Sequence, residues 1–221
     1  MTHTGDNDHD QSKATQLLDR PRAVHAVIDY MLAAWPGRAS IDPDKIGVFG
    51  FSAGGFTALV SAGGVPDLTR VAPYCGTHET TFTCQIVRQH PVNSNHPIAD
   101  EAWVADRRIK AAVVAAPALG FAFSPRGLQK VRIPVQLWRA EDDHVLPAPD
   151  HAEAVRDALP EPPDYHVALG ADHFDFLAPC SAALAKSVPM ICEEHGGFDR
   201  AAFHKTFDQD VVHFFENTLS P

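Results

Sequence analysis

The chain has 221 residues, 45% hydrophobic and 21% charged, with a formal net charge of −10. That is the size of a single domain with room for a substantial core, in the composition range of globular proteins. The acidic balance argues against nucleic acid and anionic membrane as partners, since both are polyanions. No apolar run is long enough to span a bilayer, and the longest, residues 111–123, is interrupted by Pro117 and Gly120.

Residues 1–16 are polar. Asp6, Asp8 and Asp10 alternate like the first half of a calcium loop. Gln11 stands where that loop needs glycine and Leu17 where it needs its closing acid, so a solvated loop is the better reading. The same stretch has neither the basic nor the apolar region of a signal peptide. From residue 17 to 35, Leu17, Leu18, Val24, Val27, Ile28, Met31 and Leu32 recur at helical spacing, and Pro36 and Gly37 stop the helix. Residues 41–44 make a turn into an apolar strand at residues 46–49.

Residues 45–60 organise the chain. A short apolar run leads into Gly50, Phe51, Ser52, Ala53 and Gly54, and a small apolar helix follows. The spacing G-x-S-x-G lifts a serine off a strand end into a strained turn, where neighbours without Cβ let strand and helix approach. The helix starts at the serine, so its free N–H groups and positive dipole end face the place where an oxyanion would form. A plain Gly-Ser turn also fits the five residues alone, so a base and an acid must come from elsewhere in the chain.

Residues 65–106 are rich in Pro, His, Asn and Thr and show no periodicity. They read equally as a lid or pocket wall and as a surface insertion. The four cysteines fall into two local pairs, Cys75 with Cys84 and Cys180 with Cys192. None has C-x-x-C spacing, so a zinc ribbon is disfavoured. Two states stay open: two local disulfides, which imply an oxidising compartment such as a periplasm, or four free thiols in a cytosolic protein.

Strand signals resume at residues 109–114, 135–138 and 165–169, with helical stretches between them. Strands alternating with helices predict an α/β fold, a mostly parallel sheet with helices on both faces. The last element is an amphipathic helix over residues 200–219, whose Phe203, Phe207, Phe214 and Phe215 read as core. No repeat or linker divides residues 1–221.

In a parallel sheet the chemistry collects past the carboxyl ends of the strands. There the sequence places Glu141, Asp142 and Asp143 after one strand and Asp172, His173 and Asp175 after the next. With Ser52 these supply a nucleophile, an acid and a base in the order Ser, Asp, His. Ser52 is inert at its own pKa and needs His173 to take its proton, while Asp143 would hold the imidazole tautomer. Asp143 is preferred to Asp142 and Glu141 because the turn at Val145, Leu146 and Pro147 follows it directly. Asp172 and Asp175 fit simple solvated charges. His9, His78, His90, His96, His144 and His195 have no metal-ligand spacing, so no metal is expected.

Together the Ser52 elbow, the 143–147 turn and residues 170–176 resemble the α/β-hydrolase superfamily. They are most similar to its dienelactone-hydrolase branch, related to the platelet-activating-factor acetylhydrolases. The resemblance runs from about Asp6 to the C-terminus. It implies a serine esterase with the triad Ser52, Asp143 and His173, an oxyanion donor at the Ala53 N–H and no cofactor. The reading is hydrolysis of a small or medium acyl ester; the apolar Phe51, Leu119, Phe121 and Phe123 are available to line an acyl pocket, although each taken alone fits a core role better. Exported members of this branch often carry extra cysteines, in line with the two pairs here.

Two departures stand out. Dienelactone hydrolases carry cysteine at the nucleophile, where this chain has serine. The fold normally has four strands before the elbow strand, and here one helix precedes it, so the second oxyanion donor cannot be assigned. Residues 46–49 then form an exposed apolar edge. Met1 as an internal start of a longer gene, or a second copy of the chain over the edge, would each account for this. An exported protein follows if the full gene carries a leader, a cytoplasmic one as the chain stands. Two other functions stay open: a non-catalytic binding module on a hydrolase fold, and a peptidase or thioesterase on the same triad.

Overall fold

The computed structural model describes residues 16–89, 97–193 and 197–220. The Asp6, Asp8 and Asp10 stretch and His9, His90, His96 and His195 lie outside the described residues. Helix α1 (Gln16–Ala33) follows the predicted spacing. Strand β1 (Ile46–Phe51) turns at Ser52 into helix α2 (Ala53–Ser61), which is buried almost throughout.

Residues 65–89 hold more regular structure than their composition predicts. Helices α3 (Val71–Thr77) and α4 (Phe82–Gln89) are joined by a disulfide between Cys75 and Cys84. Segments this short are marginal alone, and here the crosslink and tertiary packing hold them. Leu68, Val71 and Trp103 are buried in the main core, and Tyr74 packs against it.

Strand β2 (Ile109–Ala115), the short helix α5 (Pro125–Leu128) and strand β3 (Val135–Ala140) follow. Helix α6 (Ala152–Ala158) then leads to strand β4 (Asp164–Ala168). Helix α7 (Ala182–Ser187) lies in a loop closed by a second disulfide, Cys180 to Cys192. Both cysteine pairs are thus crosslinked, and the four-thiol alternative does not hold. Helix α8 (Arg200–Leu219) ends the described chain.

The four strands form one parallel sheet in the order β1, β2, β3, β4. Every connection is therefore a crossover, which puts helices on the faces. Strand β2 is buried on both sides and alternates between two cores. Ala112 and Val114 face Phe56, Leu59, Leu128 and Val155 on one side. Ala111, Val113 and Ala115 face Phe207 and Phe214 of α8 on the other. Full burial of a phenylalanine stabilises by about 1.5–3 kcal/mol, so these two anchor α8.

Register decides where the site forms. Phe51 lies beside Ala115, Ala115 beside Trp138, and Ala140 beside Ala168. The carboxyl ends of all four strands therefore meet at one level. At the other side of β1, among the described residues, no strand is paired. Phe49 is 47% exposed there, next to a hollow of about 420 Å³ walled by Val24, Val27, Ile46 and Val48. Among the described residues, no helix is long and apolar enough to cross a membrane.

Candidate active site

The turn out of β1 forces Ser52 to φ 54° and ψ −119°. A non-glycine residue in that region is strained, at a cost of order 1–3 kcal/mol. The surrounding backbone holds it. Ser52 N–H donates to the Ala115 carbonyl at 2.9 Å, and the Ser52 carbonyl accepts from Ala118 and Phe56 N–H at 3.0 and 3.1 Å. The loop that grips the serine is itself bent, with Ala116 at φ 40° and Leu119 at φ 54°.

The motif glycines serve different ends. A Cβ on Gly50 would lie 2.1 Å from the Gly54 carbonyl oxygen, so close approach of strand and helix depends on it. A Cβ on Gly55 would press on Pro117 at 3.0 Å, whereas one on Gly54 would meet nothing within 4 Å. Phe56 is the first residue of α2 to donate back to Ser52, which leaves the Ala53 N–H at the helix start without an intrahelical acceptor.

Two hydrogen bonds converge on His173, which is 1% exposed. Its Nε2 lies 3.0 Å from Ser52 Oγ, and its Nδ1 lies 2.9 Å from Asp143 Oδ2. Asp143 is fixed in turn, its Oδ1 accepting the Val145 and Leu146 N–H groups at 3.0 and 2.6 Å. The rival acids are engaged elsewhere or exposed: Glu141 accepts the Gly170 N–H, and Asp142 faces solvent.

Asp172 and Asp175 are structural parts of this loop rather than solvated charges. Asp175 is 1% exposed and accepts the Asp172 N–H at 2.8 Å. Asp172 accepts the N–H groups of His173 and His144 at 2.6 and 3.0 Å. Burial pushes the Asp172 carboxyl up, but these N–H groups and the His144 ring outweigh it and hold it below the usual carboxylate range.

The candidate pocket residues divide. The half-buried Phe51 packs on the His173 ring and on Phe176. Leu119 and Phe121 follow the strained loop but are 7% and 8% exposed and belong to the core. Phe121 is stacked face to face with Tyr74 of α3, ring centroids 3.8 Å apart. Phe123 is wholly core. Burial, with Asp150 beside it, pushes the Tyr74 hydroxyl up to about 12.

Composition and spacing do not single out His151. It is 1% exposed, wedged against Phe121 and Tyr74. The Pro117 backbone is the polar group against the ring, and neither ring nitrogen makes a well-aligned hydrogen bond. Burial pulls its pKa down to about 4, against the opposing field of Asp143 and Asp150. Arg200 is the other residue missed, fully buried at the first turn of α8. An arginine is disfavoured at the positive end of a helix dipole, and that misfit was the available signal. Among the described residues, no group of three or more His, Cys, Asp or Glu side chains is arranged to hold a metal ion.

Among solved structures the chain is similar to SOBER1 from Arabidopsis thaliana, at 14% identity and a TM-score of 0.41 over 81% of this chain and 64% of that one. It is also similar to an acetyl ester-xyloside bifunctional hydrolase from Caldicellulosiruptor lactoaceticus, at 18% identity and a TM-score of 0.40 over 88% of this chain and 65% of that one. The chain thus spans just under two thirds of the length of these structures. No curated protein sequence matches it. The Dienelactone hydrolase family model matches residues 2–119, more than half of the chain, a stretch that includes Ser52 and ends before Asp143 and His173. By that match, the chain belongs to the dienelactone hydrolase family.

Proposed function

We propose that this chain is a serine ester hydrolase working through an acyl-enzyme on Ser52. Family membership supports hydrolysis. The observation that carries the serine mechanism is the pair of hydrogen bonds on one imidazole, 3.0 Å to Ser52 and 2.9 Å to Asp143.

In this reading Ser52 Oγ bonds to the acyl carbon while its proton passes to His173 Nε2. The carbonyl electron pair moves onto oxygen, which accepts the Ala53 N–H. Collapse breaks the bond to the alkoxy group, which leaves as an alcohol with the proton from Nε2. Water then gives a proton to Nε2, its oxygen attacks the acyl carbon, and the carboxylic acid departs as Ser52 regains its proton. Asp143 keeps the Nδ1 proton in place and stabilises the imidazolium.

The substrate class is a small or medium acyl ester. Phe51 closes the His173 side, and Leu119 and Phe121 back the acyl side. In a single domain, the described residues of 65–89 form the pocket wall, a role supported by Tyr74 stacked on Phe121.

The test is labelling with a fluorophosphonate probe, with the adduct located by peptide mass spectrometry and p-nitrophenyl acetate hydrolysis followed in parallel. Rapid labelling at Ser52, lost with turnover in Ser52→Ala, is expected. A folded chain that neither labels nor turns over would overturn the esterase reading in favour of a binding module.

A further inference from the structure

Arg200 and Asp175 form an ion pair in which both side chains are 1% exposed. Arg200 Nε and Nη2 both lie 2.9 Å from Asp175 Oδ1. The remaining donors hold main-chain carbonyls, Nη1 on Ile191 at 2.9 Å and Nη2 on Glu193 at 3.0 Å. One guanidinium thereby fastens α8, the Cys180–Cys192 loop and the turn that carries His173. Burying two charges costs several kcal/mol each before their attraction repays it, so a buried pair is weak evidence of net stability. Its effect here is to fix a geometry.

That geometry leads to the site by short steps. The other oxygen of Asp175, Oδ2, accepts the Asp172 N–H at 2.8 Å. Asp172 bridges two loops, taking the N–H of His173 with Oδ1 and the His144 ring with Oδ2, while Oδ1 also takes the His144 N–H. His144 directly follows Asp143. The separation of Asp143 from His173 is therefore set through Asp172, and the orientation of Asp172 through Asp175. His204 of α8 adds a second tie, its Nε2 lying 2.9 Å from the Asp175 carbonyl.

We infer that Arg200 is a positioning residue for His173, acting through Asp175, and that it sets the Nδ1 contact with Asp143. The inference deepens the esterase reading and rests on it for its kinetic consequence alone. Lysine cannot replace Arg200, since a single ammonium cannot reach the carboxylate and two carbonyls in the guanidinium plane.

The test compares Arg200→Lys, Arg200→Met and the double variant Arg200→Met/Asp175→Asn. The single methionine variant strands a buried carboxylate and is expected to lose stability. The double variant removes both charges, keeps the approximate shape of the pair and is expected to recover most of the lost melting temperature. The expected result in that restored fold is a kcat lower by about tenfold to a hundredfold with KM within about twofold, as misplacement of a reacting group produces. The downfield proton resonance of His173 Nδ1–H, identified by its loss in Asp143→Asn, is expected to move upfield in the same variant.

A double variant with a parental resonance and parental kcat would overturn the inference, since a purely structural pair recovers both along with stability. A shifted resonance in a chain whose parent never labels at Ser52 would uphold the positioning and sink the esterase reading instead.

Discussion

The ring of Phe51 lies 4.8 Å from the imidazole of His173, centroid to centroid, tilted by 38°. The residue just before the nucleophile is thus a wall for the residue proposed as its base. Phe176 completes the enclosure, 5.9 Å from Phe51.

Phe51→Ala opens space beside the imidazole and leaves its Ser52-facing edge unsupported. Turnover of p-nitrophenyl acetate is expected to fall by about tenfold to a hundredfold, mostly in kcat, because orientation of the base is lost. Phe51→Leu keeps most of the wall and is expected to lie within a few-fold of the parent. Equal activity in all three would show that the ring contact has no catalytic consequence.

The two glycines flanking the serine make an opposed pair. Gly50→Ala drives a methyl into the Gly54 carbonyl at 2.1 Å and is expected to abolish folding or serine labelling. Gly54→Ala meets nothing within 4 Å and gains helix propensity. It is expected to raise stability by about 0.5–1 kcal/mol in urea titration. A stable, active Gly50→Ala protein would contradict the close packing of β1 on α2.

His151 carries a pH dependence whose sign follows from its burial. Its pKa falls from 6.5 to about 4 on folding, so between those values the unfolded chain binds more protons than the folded one. Stability from this group is complete above about pH 6.5 and is lost as pH drops toward 4, by on the order of 3 kcal/mol. His151→Leu removes the buried imidazole and is expected to flatten the stability curve between pH 4 and 6.5. Parallel curves for the two proteins in denaturant titrations across that range would refute it.

The two disulfides are expected to differ in what they protect. Each closes a short loop, with sequence separations of 9 and 12, and each is worth up to about 3 kcal/mol by loop entropy. Of the two loops, only Cys180–Cys192 reaches Arg200, through the Ile191 carbonyl inside it and the Glu193 carbonyl just past Cys192. Replacing that pair with serines is expected to lower kcat several-fold beyond the effect of replacing Cys75 and Cys84, when both are assayed well below their melting temperatures. Matching kcat values in the two variants would argue against the coupling.

The strands and the meeting of Ser52, Asp143 and His173 are legible because each has a local signature. Short β-branched or alanine-rich runs end in residues whose chemistry is unusual for a turn, and the parallel register does the rest. Helices α3 and α4 are not legible, since their order comes from Cys75–Cys84 and from Tyr74 against Phe121 rather than from periodicity. Asp175 looks like a surface charge, and the one sign at Arg200, a cation at a helix start, does not name its partner. They find each other across 25 residues only when α8 docks. Leu119 and Phe121 show the converse limit, as an apolar residue near a strand end reads the same from sequence whether it belongs to core or pocket, and these two lie in the core.

Docking of α8 has a consequence for synthesis on the ribosome. Ser52 and His173 are 121 residues apart, and the guanidinium that orients the second of them comes later still. A nascent chain that has exposed β1 to β4 and the turn after it, through His173, already presents every residue of the proposed triad. It lacks the clamp until Arg200 emerges and Phe207 and Phe214 seat against β2. On the proposed mechanism, the serine is therefore expected to become competent only once α8 has docked, and proteolysis that frees α8 is expected to lower its reactivity without touching it.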